Sequence, residues 1–199
     1  MKLKSAYSII LTLTILSLFT TGCDSSPEED QGYQEIIEFI PEGTNLVGTD
    51  IEPGIYVGLA GDFWEDYDSC YWERLSGLSG ERGDIIANNR TSDLFYVEVL
   101  NSDLALSTTC ELLPIENVPP PEEKYSKIDS GMYLIGRDID AGTWKGFDES
   151  ECIWARLSCA TGSPVECFIA SDSPEGQFFV EIAPDDFAFK VNCPMEKVD

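Results

Sequence analysis

The groups able to do chemistry in this chain are seven cysteines and 37 carboxylates, and there is no histidine to act as a general base near neutral pH. Neither a Gly-x-Ser-x-Gly elbow nor a glycine-rich phosphate loop occurs. Without histidine or a Cys-x-x-Cys knuckle, the cysteines read as disulfide partners rather than zinc ligands. Paired carboxylates can serve a glycosidase, but so many acidic residues create such pairs by chance. The expectation is a non-catalytic binding or structural module that needs no cofactor. The alternative is a carboxylate-dependent hydrolase acting on envelope polysaccharide.

One loop interleaves carboxylates with aromatics: Gly61-Asp62-Phe63-Trp64-Glu65-Asp66-Tyr67-Asp68-Ser69. Asp62, Asp66 and Asp68 could coordinate calcium, and Trp64 could stack on a sugar ring. The spacing and distal glutamate of an EF-hand are missing, so a calcium-stabilised adhesion module stands as a further alternative to a plain acidic exposed loop. Asn89-Arg90-Thr91 matches the glycosylation sequon, a short pattern that carries no weight by itself.

These residues sit on a duplicated frame. Cys70-Tyr71-Trp72-Glu73-Arg74-Leu75 returns as Cys152-Ile153-Trp154-Ala155-Arg156-Leu157, an offset of 82 residues (152 against 70). Upstream, Gly43 to Tyr56 aligns with Gly131 to Trp144. Downstream, Phe95-Tyr96-Val97-Glu98-Val99 aligns with Phe178-Phe179-Val180-Glu181-Ile182, and Asp103-Leu104-Ala105-Leu106 with Asp186-Phe187-Ala188-Phe189. Both copies close on a cysteine, Cys110 and Cys193. Features kept in both copies of one chain can be recognised without other sequences. Matching positions favour the pairs Cys70–Cys110 and Cys152–Cys193. Cys159 and Cys167, present only in the second copy across a short turn, make the third pair.

The tandem Cys-Tyr-Trp-x-Arg-Leu units, introduced by a Gly-x-Asp-Ile-x-Pro-Gly-x-Tyr turn, resemble a family of bacterial exported lipoproteins and surface proteins. The resemblance covers residues 43 to 112 and, more loosely, 131 to 194. The second copy departs from it at Ala141, at Ile153 and in its added cysteine pair. The resemblance implies export and surface display, and transfers no activity and no catalytic residue.

Residues 1 to 22 carry Lys2 and Lys4 ahead of an apolar stretch from Ala6 to Phe19, the pattern of a signal peptide, and the stretch is short for a membrane span. Thr20-Thr21-Gly22-Cys23 looks like a bacterial lipobox. Cys23 is therefore expected to be acylated and to anchor the chain outside the cytoplasm, which also accounts for the odd cysteine. Without those 22 residues, ten basic residues face 37 acidic ones and the net charge moves from −25 to −27. Such a surface repels nucleic acid and leaves the lipid anchor, a glycan or an envelope protein as expected partners.

The expected organisation is a signal peptide (1–22), an acidic tether (23–42), a first β-domain (43–113), a proline-rich linker (114–130) and a second β-domain (131–199). β-branched and aromatic runs separated by turn residues predict an all-β chain with two small disulfide-stapled sandwiches or partly open barrels. Pro119-Pro120-Pro121 predicts an extended spacer that holds them apart. Glu52-Pro53-Gly54-Ile55 predicts a type II turn with left-handed Gly54, a role Gly142 repeats. Strand alternation places Cys70, Trp72 and Arg74 on one face. Arg74 and Arg156 are expected to pair with repeated carboxylates, Asp50 and Asp138.

Overall fold

β-branched and aromatic runs broken by glycine, proline and asparagine favour brief strands over helices, and strands make up nearly all the regular structure. The computed structural model describes residues 39–59, 69–148, 151–162 and 164–198. The first repeat holds β1 (Gly43–Leu46), β2 (Gly54–Leu59), β3 (Cys70–Leu75), β4 (Ile85–Thr91), β5 (Leu94–Val99), β6 (Ala105–Thr108) and β7 (Leu113–Pro114). β8 (Lys127–Ile128) precedes the second repeat. That repeat holds β9 (Gly131–Leu134), β10 (Gly142–Asp148), β11 (Trp154–Leu157), a one-turn helix α1 (Pro164–Cys167), β12 (Phe168–Asp172), β13 (Gly176–Ile182), β14 (Ala188–Val191) and β15 (Met195–Lys197).

Each repeat divides its strands between two sheets. The order β1-β6-β3-β4 recurs as β9-β14-β11-β12, and β5-β2-β7 recurs as β13-β10-β15, which β8 extends. The two sheets of a repeat enclose a core. In the first it gathers Tyr56, Cys70, Trp72, Phe95, Val97, Val99 and Leu106; in the second Trp144, Cys152, Phe178, Val180, Ile182 and Phe189 take the matching places. No sheet closes into a barrel among the described residues. Disulfides join Cys70 to Cys110, Cys152 to Cys193 and Cys159 to Cys167, at sequence separations of 40, 41 and 8. Chain entropy makes each long closure worth about 4 kcal/mol and the short one about 2.5 kcal/mol.

The repeats do not stand apart. β5 pairs in parallel with β9, with Leu94 level with Gly131, and this joins the second sheet of one repeat to the first sheet of the other in a seven-stranded sheet. A third core lies between the repeats, built from Tyr96, Met132, Leu134, Ala155, Leu157, Ala160 and Ala188, with Ile55, Val57 and Ile115 packed against it. The linker folds back as part of this contact. β7 pairs with β2, placing Val57 opposite Leu113. Val118 O accepts Arg137 Nη2–H at 2.8 Å, and Tyr125 N–H donates to Asp138 O at 2.9 Å. The expected spacer is thus corrected. Apolar faces on both repeats gain about 25 cal/mol per Å² by meeting, and three prolines do not oppose that.

Gly54 also departs from expectation. Its φ is not positive, because it opens β2 opposite Val99 and its backbone belongs to the ladder. The left-handed residues of the paired turns are Gly48 (φ 77°) and Gly136 (φ 83°), while Gly142 does take a positive φ of 128°.

Candidate functional site

The repeated arginines lie one residue from the ends of β3 and β11. β3 runs antiparallel to β6 with Leu75 opposite Ala105, so the turn entering β6 arrives beside Arg74. That turn carries Asp103. Arg74 donates from Nε and Nη2 to the two Asp103 oxygens at 2.7 and 2.8 Å, a bidentate fork with both side chains buried. Arg156 grips Asp186 in the same way at 2.6 and 2.9 Å. Asp50 and Asp138 are therefore not the partners of Arg74 and Arg156, and Asp138 pairs with its neighbour Arg137. Their carboxylates close tight turns instead, accepting the N–H groups of Leu46 and Leu134 at 2.8 Å each. Asp138 also accepts the Tyr96 hydroxyl at 2.7 Å from across the repeat contact. Burial and that carboxylate push the Tyr96 phenol far above its ordinary range.

The two copies of the clasp differ in cover. Arg74 is 2% exposed because the disulfide loop of the second repeat lies over it, with Thr161 O accepting Arg74 Nη1–H at 2.6 Å. Arg156 is 22% exposed. Trp72 is buried with Cys70 in the first core, and its Nε1 finds no acceptor among the described residues. Trp154 is only partly buried and stacks on Phe189 with ring centroids 6.3 Å apart. The fork orients strand ends and offers no group facing a ligand in the first repeat.

A cleft of about 360 Å³ opens at the junction of the repeats. Asn89, Thr91 and Asp93 form one wall, and β9, β14, β11 and β12 form the other. Antiparallel register lines up Ser171, Ala155, Lys190 and Met132 in one row across those four strands. Ile153 and Phe168, each about half exposed, flank the mouth. Lys190 makes no ion pair and no side-chain hydrogen bond among the described residues. Desolvation by the walls lowers its pKa below the ordinary lysine value, opposed by the charge of Asp93, whose carboxylate accepts the Ser130 hydroxyl at 2.7 Å. An unpaired ammonium above an apolar wall suits a small molecule with one anionic group and an apolar body.

Of the residues singled out by sequence, Asn89 and Thr91 of the sequon and Ile153, Trp154 and Ala155 of the repeated strand line this cleft. Cys23 and the loop residues Asp62, Trp64, Asp66 and Asp68 lie outside the described residues. No group of three His, Cys, Asp or Glu residues among the described ones is placed to hold a metal ion. Lys190, Asp93 and Phe168 are new to the list of site residues. Lys190 has Ser107 as its repeat counterpart, so matching the copies passes over it; the available signal is a lone cation between Phe189 and Val191 in a chain poor in cations.

No helix among the described residues is long and apolar enough to cross a membrane. Comparison with curated proteins and with solved structures finds no match. A family model described as the Rv1352-like extracellular domain matches residues 38–111 and again residues 126–194. With two successive matches spanning both repeats, the chain belongs to the Rv1352-like extracellular domain family and carries the domain in tandem.

Proposed function

We propose that this chain is a lipid-anchored envelope protein, held by acylated Cys23 outside the cytoplasm, whose tandem domains bind a small amphipathic anion in the cleft between them. The unpaired Lys190 in a cleft with apolar lips carries this reading. The acidic surface repels polyanions at long range, which favours a ligand with a single carboxylate, sulfate or phosphate over an acidic polymer. Binding rather than turnover is favoured because Lys190 has Asp93 as its charged neighbour and no histidine or free thiol beside it. Cys23→Ser should release the exported chain from the membrane, and the mature N-terminus should carry the mass of its acyl chains.

The cleft is tested with the aromatic sulfonate 1-anilinonaphthalene-8-sulfonate and the exported chain. A charge-assisted contact contributes about 1.5–3 kcal/mol, so Lys190→Met should weaken dye binding roughly 10- to 100-fold, and Phe168→Asp should weaken it as well. Equal binding by Lys190→Met and the parent chain would remove the site.

A further inference from the structure

The contact between the repeats is made of parts that both repeats possess, and among the described residues one copy of each part is unused. In the inner contact the second repeat supplies a plug, the loop 158–162. Ala160 O accepts Glu98 N–H at 2.9 Å and Thr161 O accepts Arg74 Nη1–H at 2.6 Å. Gly162, with φ 74°, passes so close to Trp72 that a Cβ there would lie 2.3 Å from the ring. The first repeat supplies the socket: Tyr96 and Glu98 on β5, Trp72 and Arg74 on β3. β9 then lies along the edge of β5.

The same plug recurs at residues 76–80, where Ser76-Gly77-Leu78-Ser79-Gly80 stands for Ser158-Cys159-Ala160-Thr161-Gly162. Gly80 keeps the left-handed backbone at φ 78°, and Leu78, in the place of buried Ala160, is 57% exposed. β1, the counterpart of β9, ends its sheet; β9 is buried at every position, whereas β1 begins with two exposed residues. The socket recurs on the second repeat. Phe179 is 56% exposed where its counterpart Tyr96 is 2% exposed. Arg156 keeps its Asp186 fork, and its Nη1 has no hydrogen-bond partner among the described residues. β13 ends its sheet where β5 continues into β9.

We propose that the free plug of one chain enters the free socket of a second copy, joining chains head to tail through a parallel β13–β1 contact. Gln177 then lies level with Gly43, as Leu94 does with Gly131 in the inner contact. Because the two surfaces differ, the contact is head to tail and leaves a plug and a socket open at the ends, so further chains add beyond a dimer. The outer faces carry charged residues where the inner contact is apolar, and Lys145 is already paired with Glu196 at 3.7 Å. Lys145 on the socket replaces Val57, and Glu73 on the plug replaces Ala155. Phe179 also lacks the hydroxyl that Asp138 accepts inside. The outer contact is therefore weaker than the inner one and sensitive to salt.

The test uses the full exported chain in detergent, followed by sedimentation velocity over a range of protein and salt concentrations. The parent chain should pass beyond a dimer as concentration rises, and salt should reduce this. Leu78→Asp removes the plug and Phe179→Asp the socket; both sites are exposed, so the melting temperature should not move, and Leu78→Ser and Phe179→Ser replace them if it does. Each variant alone should stay a monomer, and a mixture of the two should form a dimer that grows no further. A parent chain that stays monomeric or stops at a dimer would overturn the proposal, as would single variants that associate like the parent or a mixture that stays monomeric.

Discussion

The duplicated clasp offers a matched pair of substitutions, Arg74→Met and Arg156→Met. Both remove a guanidinium that forks onto an aspartate, with Asp103 and Asp186 almost fully buried. Only Arg74 is sealed beneath the other repeat. Its loss leaves Asp103 as a buried uncompensated charge, for which the cost is about 3–5 kcal/mol, and it also orphans Thr161 O at the repeat contact. At Arg156 solvent reaches the site and screens the remaining carboxylate, so the cost falls to about 1–2 kcal/mol. For a chain of this size each kcal/mol moves Tm by about 2–4 °C. Thermal unfolding followed by circular dichroism should therefore show Arg74→Met melting roughly 10 °C below the parent and Arg156→Met within about 5 °C of it. Hydrogen exchange should further show residues 159–162 losing protection in Arg74→Met alone. Equal losses from the two substitutions would refute the idea that cover by the second repeat sets the difference.

Two further outcomes follow from the same geometry. Gly162→Ala and Gly80→Ala both place a side chain at a left-handed backbone position, a strain of about 1–2 kcal/mol, but only the first drives a Cβ into Trp72. Gly162→Ala should therefore destabilise clearly more in urea unfolding and change the tryptophan emission, whereas Gly80→Ala should leave the emission alone. Lys190→Met should lose ligand binding while holding or raising stability at neutral pH. The folded chain holds the Lys190 proton less tightly than the unfolded chain does. Stability should therefore rise as pH climbs from the lowered pKa towards the ordinary lysine value, and that rise should vanish in Lys190→Met.

Several features were open to view in the residues alone. The duplicated Cys-x-Trp-x-Arg-Leu strand and the matching terminal cysteines point to two β-units, each with its own disulfide, and Cys159 and Cys167 stand out because only one copy has them. The joined sheets were harder to see, although a trace exists. β2 reads Gly-Ile-Tyr-Val-Gly-Leu, apolar on both faces, while its counterpart β10 reads Gly-Thr-Trp-Lys-Gly-Phe with polar residues on one face. A strand covered on both sides loses its alternation. β9 against β1 shows the same contrast, Met-Tyr-Leu against Thr-Asn-Leu. The sequence does not single out the arginine partners, because Asp50, Asp103, Asp138 and Asp186 all belong to repeated pairs. Only the β3–β6 ladder brings Asp103 to Arg74, while the tight turn takes the Asp50 carboxylate for Leu46. Matching the repeats does not point to Lys190, because Ser107 holds its place in the first copy.

That the two repeats are interlocked through a shared sheet and a shared core is the claim on which the cleft, the clasp and the free plug all depend. Native-state hydrogen exchange in increasing denaturant tests it most directly, read at Val97 and Leu106 in the first repeat and at Val180 and Phe189 in the second. The interlocked fold predicts that all four amides lose protection together, with one slope and one midpoint. Exchange in two separate steps, one repeat open while the other remains protected, would contradict it.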